Sequence, residues 1–272
     1  MRKKYGIWGT CVAAFACLFF ACQKDDGVMG GETDRLPIVL SGDIDQVMLS
    51  RVNDGGFCDK DVMGVYIVDY EGGNPGKLQL DGNRASNVQF TYDEANNKWS
   101  GAYDIYWKDS KTPIDVYGYY PWGTPESIEA YAFEVQKDQS KAGENGNLGG
   151  YEASDFLWGK AEEVAPSTKV IRLAFRHKMS TARVTLVEGE GFAEGEWTGL
   201  EKQVLVTNTK RKALIDLKTG NVTATGTVAI TGTIPYQKDG EFRAIVVPQE
   251  ISTGTELFKI TVDGVVYAFK KN

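Results

Sequence analysis

The chain has 272 residues, of which 42% are hydrophobic and 25% are charged. This composition is typical of globular proteins, and the length is sufficient for one large or two ordinary domains. The formal net charge is −7 and the sequence has no extended basic stretch, which argues against nucleic acid as a partner.

The N-terminus is predicted to be a lipoprotein signal peptide over residues 1–21. Basic residues at positions 2–4 precede an apolar run, Ile7–Ala21, whose fifteen residues are fewer than the ~20 that a membrane-spanning helix needs. The run ends in Ala21-Cys22. A small residue directly before a cysteine resembles the lipobox that lipoprotein signal peptidase cleaves.

Cys22 is predicted to carry the lipid that anchors the protein to the cell outer membrane. Cys17, which follows Ala16, is the alternative, but it would leave a shorter apolar run. The next residues, Gln23-Lys24-Asp25-Asp26, resemble the signal that sends Bacteroidetes lipoproteins to the cell surface. Cys58 then has no cysteine left to pair with, and we interpret it as a small apolar residue rather than a nucleophile.

Residues 22–35 are predicted to form a flexible tether because they are rich in glycine and acidic residues. An N-terminal domain is predicted over residues 36–168. Its first strands are expected at Leu36–Leu40 and Val47–Leu49, on either side of a turn at Ser41-Gly42-Asp43. These two strands are expected to form either a hairpin or two separate sheet edges.

Further strands of this domain are predicted from the pattern of apolar residues. Val62–Val68 is a continuous apolar run, which is typical of a strand covered on both faces. Val88–Tyr92 and Tyr131–Val135 alternate with the period of a half-buried strand. For the latter, a short helix over Ser127–Phe133 is the alternative. Gln139–Gly150 contains four glycines and is expected to be a long surface loop.

The most aromatic stretch, Ile105–Trp122, contains two tryptophans, four tyrosines and two prolines. We predict a hairpin whose two apolar arms are separated by Lys108–Lys111. In Ile114–Tyr120 alternate residues fall on opposite faces, and the aromatic and β-branched content favours a strand. Pro121 ends this strand because proline has no N–H to donate. Packing in a core is favoured over a ligand-binding platform.

A C-terminal domain is predicted over residues 169–272. Asp263-Gly264 within Ile260–Tyr267 is the clearest hairpin signal, because these residues readily adopt the two positive φ angles of a type I′ turn. Recurring short strands without a long helix predict an all-β protein with two antiparallel β-sandwich domains in tandem. The other strands of this domain are expected at Ile171–Phe175, Ala182–Leu186, Gln203–Thr207, Ala213–Leu217, Thr227–Ile234 and Phe242–Val247.

Residues suited to catalysis or metal binding are few. A Ser-His-Asp triad would have to use His177, and the chain has no Gly-x-Ser-x-Gly motif, so His177 is interpreted as structural. One histidine and one remaining cysteine are too few for the usual zinc sites. The sequence therefore predicts no enzymatic activity, no metal and no cofactor. A hydrolase based on an unrecognised carboxylate pair stays a third hypothesis, because such a pair needs no fixed spacing.

Several short motifs, each present once, follow one another along the chain, together with Cys22 and Trp99. The motifs are DVMGVYIV (Asp61–Val68), IDVYGYYPW (Ile114–Trp122), FEVQKDQS (Phe133–Ser140), DFLWGKA (Asp155–Ala161), LAFRHKMS (Leu173–Ser180), AIVVPQ (Ala244–Gln249) and the hairpin at Asp263–Tyr267. In number and order they resemble the fimbrillin (type V pilin) family of Bacteroidales lipoproteins. The resemblance covers nearly all of Arg51–Tyr267.

The resemblance implies two β-sandwich domains and a structural or adhesive subunit of a cell-surface fimbria. It also implies that an arginine-specific protease removes an N-terminal segment, and that a strand of a neighbouring fimbrial subunit fills the groove. A cut after Arg51 would remove the apolar strands, whereas a cut after Arg35 would remove tether alone. Arg51 is therefore preferred over Arg35, and an uncut, lipidated anchor subunit is the remaining alternative.

Family members continue beyond the hairpin at Asp263–Tyr267 with strands that form the donor segment, whereas this chain ends at Asn272. Either the last strands are missing from this sequence or the C-terminal sheet is incomplete, and whether the short C-terminus can donate a strand stays open. Shaft, tip and anchor roles stay open, as does a host or bacterial surface ligand.

A second hypothesis, from a different class, is a surface lipoprotein that binds glycans. Sugar sites need exposed aromatic platforms, and Trp107, Trp122, Tyr117 and Tyr119 would supply the rings. Rings that face solvent would favour glycan binding, and rings that face a core would favour packing.

Overall fold

The computed structural model describes residues 35–45, 56–144 and 147–272. The predicted signal peptide, nearly all of the tether and the predicted strand Val47–Leu49 lie outside these residues. The described residues form mainly antiparallel sheets with little helix, which confirms the predicted all-β class. No helix in this part of the chain is long and apolar enough to cross a membrane.

Seventeen strands and two short helical turns make up the described chain. The first nine strands are β1 (Leu40–Ile44), β2 (Val62–Glu71), β3 (Asn74–Pro75), β4 (Ala85–Asp93), β5 (Lys98–Gly101), β6 (Ile114–Tyr120), β7 (Tyr131–Glu134), β8 (Leu157–Val164) and β9 (Ile171–His177). The others are β10 (Ser180–Thr185), β11 (Lys202–Val206), β12 (Thr209–Asp216), β13 (Asn221–Ala229), β14 (Tyr236–Lys238), β15 (Glu241–Val246), β16 (Glu256–Val262) and β17 (Val265–Lys270). The helical turns are a 3-10 turn at Glu152–Ser154 and α1 (Glu196–Gly199).

One large sheet contains the strands in the order β1-β9-β8-β6-β2-β4-β5, with β3 beside β2. Its interior strand β2 is buried on both faces. Val65 and Ile67 pack in a first core, whereas Tyr66 and Val68 pack in a second core on the opposite face. The prediction that this strand is covered on both sides is confirmed.

The first core lies on the inner face of the large sheet. Ile114 and Val116 of β6 pack there with Phe175 of β9. The sheet curves so far that its two end strands meet. This is shown by Gly42 of β1, since a Cβ built on it would lie 3.3 Å from Nε1 of Trp99 in β5. Strand β1 therefore lies where the sheet closes on itself, a position called the seam below.

The second core lies on the outer face of the large sheet, against two three-stranded sheets with the orders β13-β12-β7 and β10-β15-β14. Tyr117 and Tyr119 of β6 pack there with Ile215 of β12 and Ile245 of β15. Alternate residues of β6 thus enter different cores, which agrees with the period-two pattern predicted for this strand.

A third three-stranded sheet, with the order β11-β16-β17, shares a small core with the sheet β10-β15-β14. The buried residues of this core are Val204, Phe242 and Ile260, and β17 contributes none of them. The turn between β16 and β17 has φ angles of +45° at Asp263 and +79° at Gly264. Both are positive, which confirms the predicted type I′ hairpin.

One predicted hairpin is wrong, and the turn that the hairpin alternative for the first strands requires does not form. The stretch Ile105–Trp107 pairs with Leu36–Ile38 rather than with β6, and β6 lies between β2 and β8. The triplet Ser41-Gly42-Asp43 is part of β1 rather than a turn, because parallel pairing with β9 continues the strand through it. In contrast, Tyr131–Glu134 forms strand β7, which confirms the strand and excludes the alternative helix.

Strands from the two predicted domains share sheets. β7 pairs with β12, and β9 pairs with β1 and β8. Gln139, at the start of the predicted surface loop, is fully buried, and its side chain hydrogen-bonds both main-chain groups of Ile245. The division into domains at residues 168 and 169 stays a prediction.

Candidate functional site

The residues Leu36–Asp45, called the N-terminal segment below, fill the seam of the large sheet. Its side chains alternate between the core and solvent. Ile38 and Leu40 are 7% and 2% exposed, and Leu36 and Ile44 are half-buried against the same core. The segment therefore completes the first core, although it comes from the far N-terminal end of the described chain.

Main-chain hydrogen bonds hold the N-terminal segment on both sides. Its first part is antiparallel to Ile105–Trp107, and the Ile38 N–H donates to the Ile105 carbonyl at 2.8 Å. Its second part, β1, is parallel to β9, with Gly42 opposite Leu173. A strand in this position satisfies two sheet edges that would otherwise present unpaired main-chain groups.

Phe57, Trp99 and Phe175 form a group of rings called the aromatic floor below. The Phe57 centroid lies 4.8 Å from that of Trp99 and 5.6 Å from that of Phe175, and both pairs are edge-to-face. Gly42 faces this floor, and a Cβ built on it would lie 2.9 Å from Cε2 of Phe175. The rings therefore leave room for main chain but not for a side chain at this position.

Two ion pairs lie on the solvent side of the N-terminal segment. The Arg172 guanidinium is 2.6 Å from the Asp43 carboxylate, and the Arg176 guanidinium is 3.5 Å from that of Asp45. The side chains are largely exposed, and pairs of this kind contribute ~0–1 kcal/mol each. Apolar burial and main-chain pairing, rather than charge, hold the segment in place.

The C-terminal strand β17 presents a second candidate surface. It pairs with β16, and no other strand of the described residues lies on its far side. At least half of each of its four large apolar side chains is exposed to solvent. These are Val265, Val266, Tyr267 and Phe269. An apolar edge strand with one open side is a site where another chain can pair.

A buried ion pair joins β6 to β8. The Asp115 carboxylate lies 3.1 Å from the Lys160 ammonium and accepts a hydrogen bond from the Glu163 N–H at 2.9 Å. Burial disfavours the Lys160 ammonium, but its hydrogen bonds to Glu162, Tyr117 and Asp115 outweigh burial and raise the pKa of Lys160. The lysine stays charged at neutral pH, so the pair fixes the two strands and offers no neutral amine for chemistry.

His177 lies at the end of β9, where its Nδ1 is 2.8 Å from Oδ1 of Asp155. The side chain of Asp155 is 3% exposed, so this contact fastens β9 to the residues before β8. The arrangement supports the structural interpretation of His177. Within residues 35–45, 56–144 and 147–272, no group of three or more His, Cys, Asp or Glu side chains could hold a metal ion.

The rings that motivated the glycan-binding hypothesis are not an exposed platform. Trp107, Tyr117 and Tyr119 are buried, and Trp122 is half-buried. The Tyr119 hydroxyl is also engaged, at 2.7 Å from Oδ1 of Asn87. By the criterion given above, rings that face a core favour packing.

Of the predicted lipidation, export and cleavage sites, Arg35 alone lies within the described residues. Arg35 is exposed and directly precedes the N-terminal segment. Ala21-Cys22, Gln23–Asp26 and Arg51 lie outside the described residues, so their roles in lipidation, export and cleavage stay predictions.

Sequence reasoning missed the aromatic floor and the role of Gly42. A signal for Gly42 was available, because it occupies an inward position in the period-two run Leu36–Ile44. No local signal could have brought Phe57, Trp99 and Phe175 together, because they come from three distant parts of the chain.

Comparison with known proteins agrees with this architecture. A family described as fimbrillin-like matches residues 50–272. No curated protein matches the chain significantly. The family match covers well over half of the 272 residues.

Several solved structures share the fold. A candidate cell adhesion protein from Bacteroides uniformis has a TM-score of 0.60 at 18% identity, with 86% of this chain and 83% of that chain covered. Another from Bacteroides ovatus has a TM-score of 0.62 at 15% identity, with 87% and 86% covered. A fimbrial protein from Bacteroides ovatus has a TM-score of 0.52 at 18% identity, with 87% of this chain but 46% of that chain covered. From the extent of the family match, this chain belongs to the fimbrillin-like family.

Proposed function

We propose that this chain is a structural or adhesive subunit of a cell-surface fimbria and that it assembles by strand exchange. The observation that carries the proposal is the N-terminal segment, which completes a core and two sheet edges yet precedes Arg51 in the sequence. A cut after Arg51 would separate this strand from a chain that begins at Val52. The groove left behind fits an extended strand from a neighbouring subunit.

The energetics favour replacement of the strand over an empty groove. Burial of Ile38 and Leu40 contributes ~1.5–3 kcal/mol for each side chain, or about 3–6 kcal/mol together. The half-buried Leu36 and Ile44 add to this. Main-chain hydrogen bonds to β9 and to Ile105–Trp107 fix the direction of the strand that enters.

Arg51 is a better cleavage site than Arg35 on this account. Arg35 lies directly before the N-terminal segment, so a cut after it leaves all of the strand in place and opens no groove. A cut after Arg51 releases the strand together with everything that precedes it.

The same processing step would set the location of the subunit. Before cleavage, the predicted lipid on Cys22 and the export signal Gln23–Asp26 would hold the protein on the outer face of the outer membrane. Cleavage after Arg51 would free it for assembly with other fimbrial subunits. A chain that escapes cleavage would keep its lipid and serve as an anchor. This role is structural and requires no catalytic residue.

The test is SDS-PAGE, without boiling, of cell-surface fractions treated with an arginine-specific protease, followed by N-terminal sequencing of each band. A ladder whose subunits begin at Val52 is expected. Arg51→Ala should abolish the ladder, and the matched control Arg35→Ala should retain it. A single uncut, lipidated monomer in the wild type would contradict the proposal of a polymerising subunit.

A further inference from the structure

The chain contains a second copy of the inward pattern of its N-terminal segment. The inward residues of that segment, at positions 36, 38, 40, 42 and 44, are Leu, Ile, Leu, Gly and Ile. The same order of three alternating apolar residues, a glycine and a further apolar residue recurs at Phe258, Ile260, Val262, Gly264 and Val266. No other glycine in the 272 residues has apolar residues at all four of these offsets.

The glycine position of this pattern is the one at which the groove leaves least room for a side chain. A Cβ built on Gly42 would lie 2.9 Å from Cε2 of Phe175 and 3.3 Å from Nε1 of Trp99. Both rings are buried in the first core, with Phe57 packed edge-on against each of them. The floor is therefore unable to move aside readily, since well-packed interiors resist added volume.

We propose that the groove selects its incoming strand by a glycine over the aromatic floor, and that the strand is Phe258–Val266 of a second copy of this chain. The inference rests on strand exchange as the proposed function and names the strand that enters. Ile260, Val262 and Val266 would take the places of Ile38, Leu40 and Ile44. Gly264 would lie opposite Leu173, where Gly42 lies now.

The donated strand would leave a much smaller core than the one it enters. In its present sheet, the strand shares a core that has three buried residues, Val204, Phe242 and Ile260. Its hairpin partner β17 has no buried residue, so opening of the Asp263-Gly264 turn uncovers little apolar surface. The pairing of β16 with β11 is lost and is replaced by pairing with β9 and Ile105–Trp107.

The exposed strand β17 does not place a glycine over the aromatic floor when its apolar residues occupy the inward positions. If Val265, Tyr267 and Phe269 occupied the three apolar positions, the residue over the aromatic floor would be Lys271. A lysine side chain at that position would meet the rings of Phe175 and Trp99, which leave too little room even for a Cβ. The shift that places Gly264 first would instead bring Lys270 to that position. The requirement for a glycine over the aromatic floor therefore distinguishes Phe258–Val266 from β17, although each contains several apolar residues.

The test uses a full chain in which a site-specific protease sequence replaces residues 47–51. After cleavage, displacement of the fluorescently labelled N-terminal fragment by synthetic peptides is measured. Peptides 36–44 and 258–266 are both expected to displace it. Their matched variants, Gly42→Val and Gly264→Val, are expected to compete about tenfold less well or worse, because the added side chain meets a filled core.

Two results would overturn the inference. Equal competition by the valine variants would remove the glycine rule, and failure of peptide 258–266 where peptide 36–44 succeeds would remove the second copy as donor. Phe175→Leu in the full chain should enlarge the space above the aromatic floor and so reduce the difference in competition between the glycine and valine peptides. The assay needs neither the Arg51 cut nor fibres, so glycine-dependent displacement without a fimbrial ladder would contradict the proposed function alone.

Discussion

The first and last strands of the described chain differ in burial. The N-terminal segment places Ile38 and Leu40 in the first core, whereas every residue of β17 is exposed. The segment has pairing partners on both sides, and β17 has β16 on one side. Apolar residues therefore favour a strand at both ends of the described chain, but the surfaces on either side determine whether that strand is buried.

The largest effect is expected from truncation of the buried strand. Leu40→Ala should lower the free energy of unfolding by ~2–5 kcal/mol, because it leaves a cavity in a closed core. Val266→Ala in β17 is the matched control and should change it by less than ~0.5 kcal/mol, because Val266 is 54% exposed. Urea unfolding of both variants measures the difference. Equal losses of unfolding free energy in the two variants would contradict the difference in burial between the N-terminal segment and β17.

A smaller effect is expected from overfilling the same strand. Gly42→Val in the intact chain should lower the free energy of unfolding by ~1–3 kcal/mol, because the new side chain meets Phe175 and Trp99. Ser41→Val, on the neighbouring outward position, is the control and should change it by less than ~0.5 kcal/mol. If the two variants unfold at the same urea concentration, the aromatic floor is not closed to side chains.

Alkaline pH should weaken the second core, which contains Tyr66, Tyr119 and Tyr151, whereas β17 contributes no buried residue. Burial, with help from the nearby Asp81 carboxylate, raises the pKa of Tyr66 to about 12, and burial also raises the pKa values of Tyr119 and Tyr151. A raised pKa means that the folded state holds its proton longer. The stabilisation is therefore present below about pH 10 and is lost as the pH rises toward 12.

Urea titrations across this range, read together with tyrosinate absorbance, check the prediction. Unfolding and the appearance of tyrosinate should coincide, because the buried hydroxyls ionise when the core opens. A free energy of unfolding that stays constant up to pH 12 would contradict the burial of these side chains.

The smallest effect on stability is expected at the exposed strand. Phe269→Lys should leave the free energy of unfolding within about 0.5 kcal/mol of the wild-type value. It should also reduce self-association at high concentration, because a charge on an apolar edge strand opposes pairing between chains. Sedimentation velocity and urea unfolding measure the two quantities. A large loss of stability would mean that β17 is covered rather than exposed.

Local sequence pattern was sufficient to locate individual strands and one tight turn. The apolar run Val62–Val68, the alternation in Ile114–Tyr120 and the Asp263-Gly264 turn all appear as predicted. Each of these features depends on side-chain periodicity or on turn chemistry, which a short stretch of sequence contains.

Pairing between distant segments could not be read in the same way. The partner of Ile105–Trp107 is Leu36–Ile38, and β1 runs parallel to β9 more than a hundred residues away. Gly42 resembled a turn residue because glycine is common in turns, and its inward position became informative when Phe175 was seen beneath it. The cleavage and lipidation sites depend on enzymes that recognise them, and the fold does not encode those enzymes.

After assembly, the strand in the seam is proposed to belong to a neighbouring subunit. The most direct test is an electron cryo-microscopy map of the SDS-resistant polymer. In that map, the strand between β9 and Ile105–Trp107 is expected to be continuous with an adjacent subunit, and each subunit is expected to begin at Val52. A polymer in which each subunit retains its own Leu36–Asp45 in the seam would contradict this proposal.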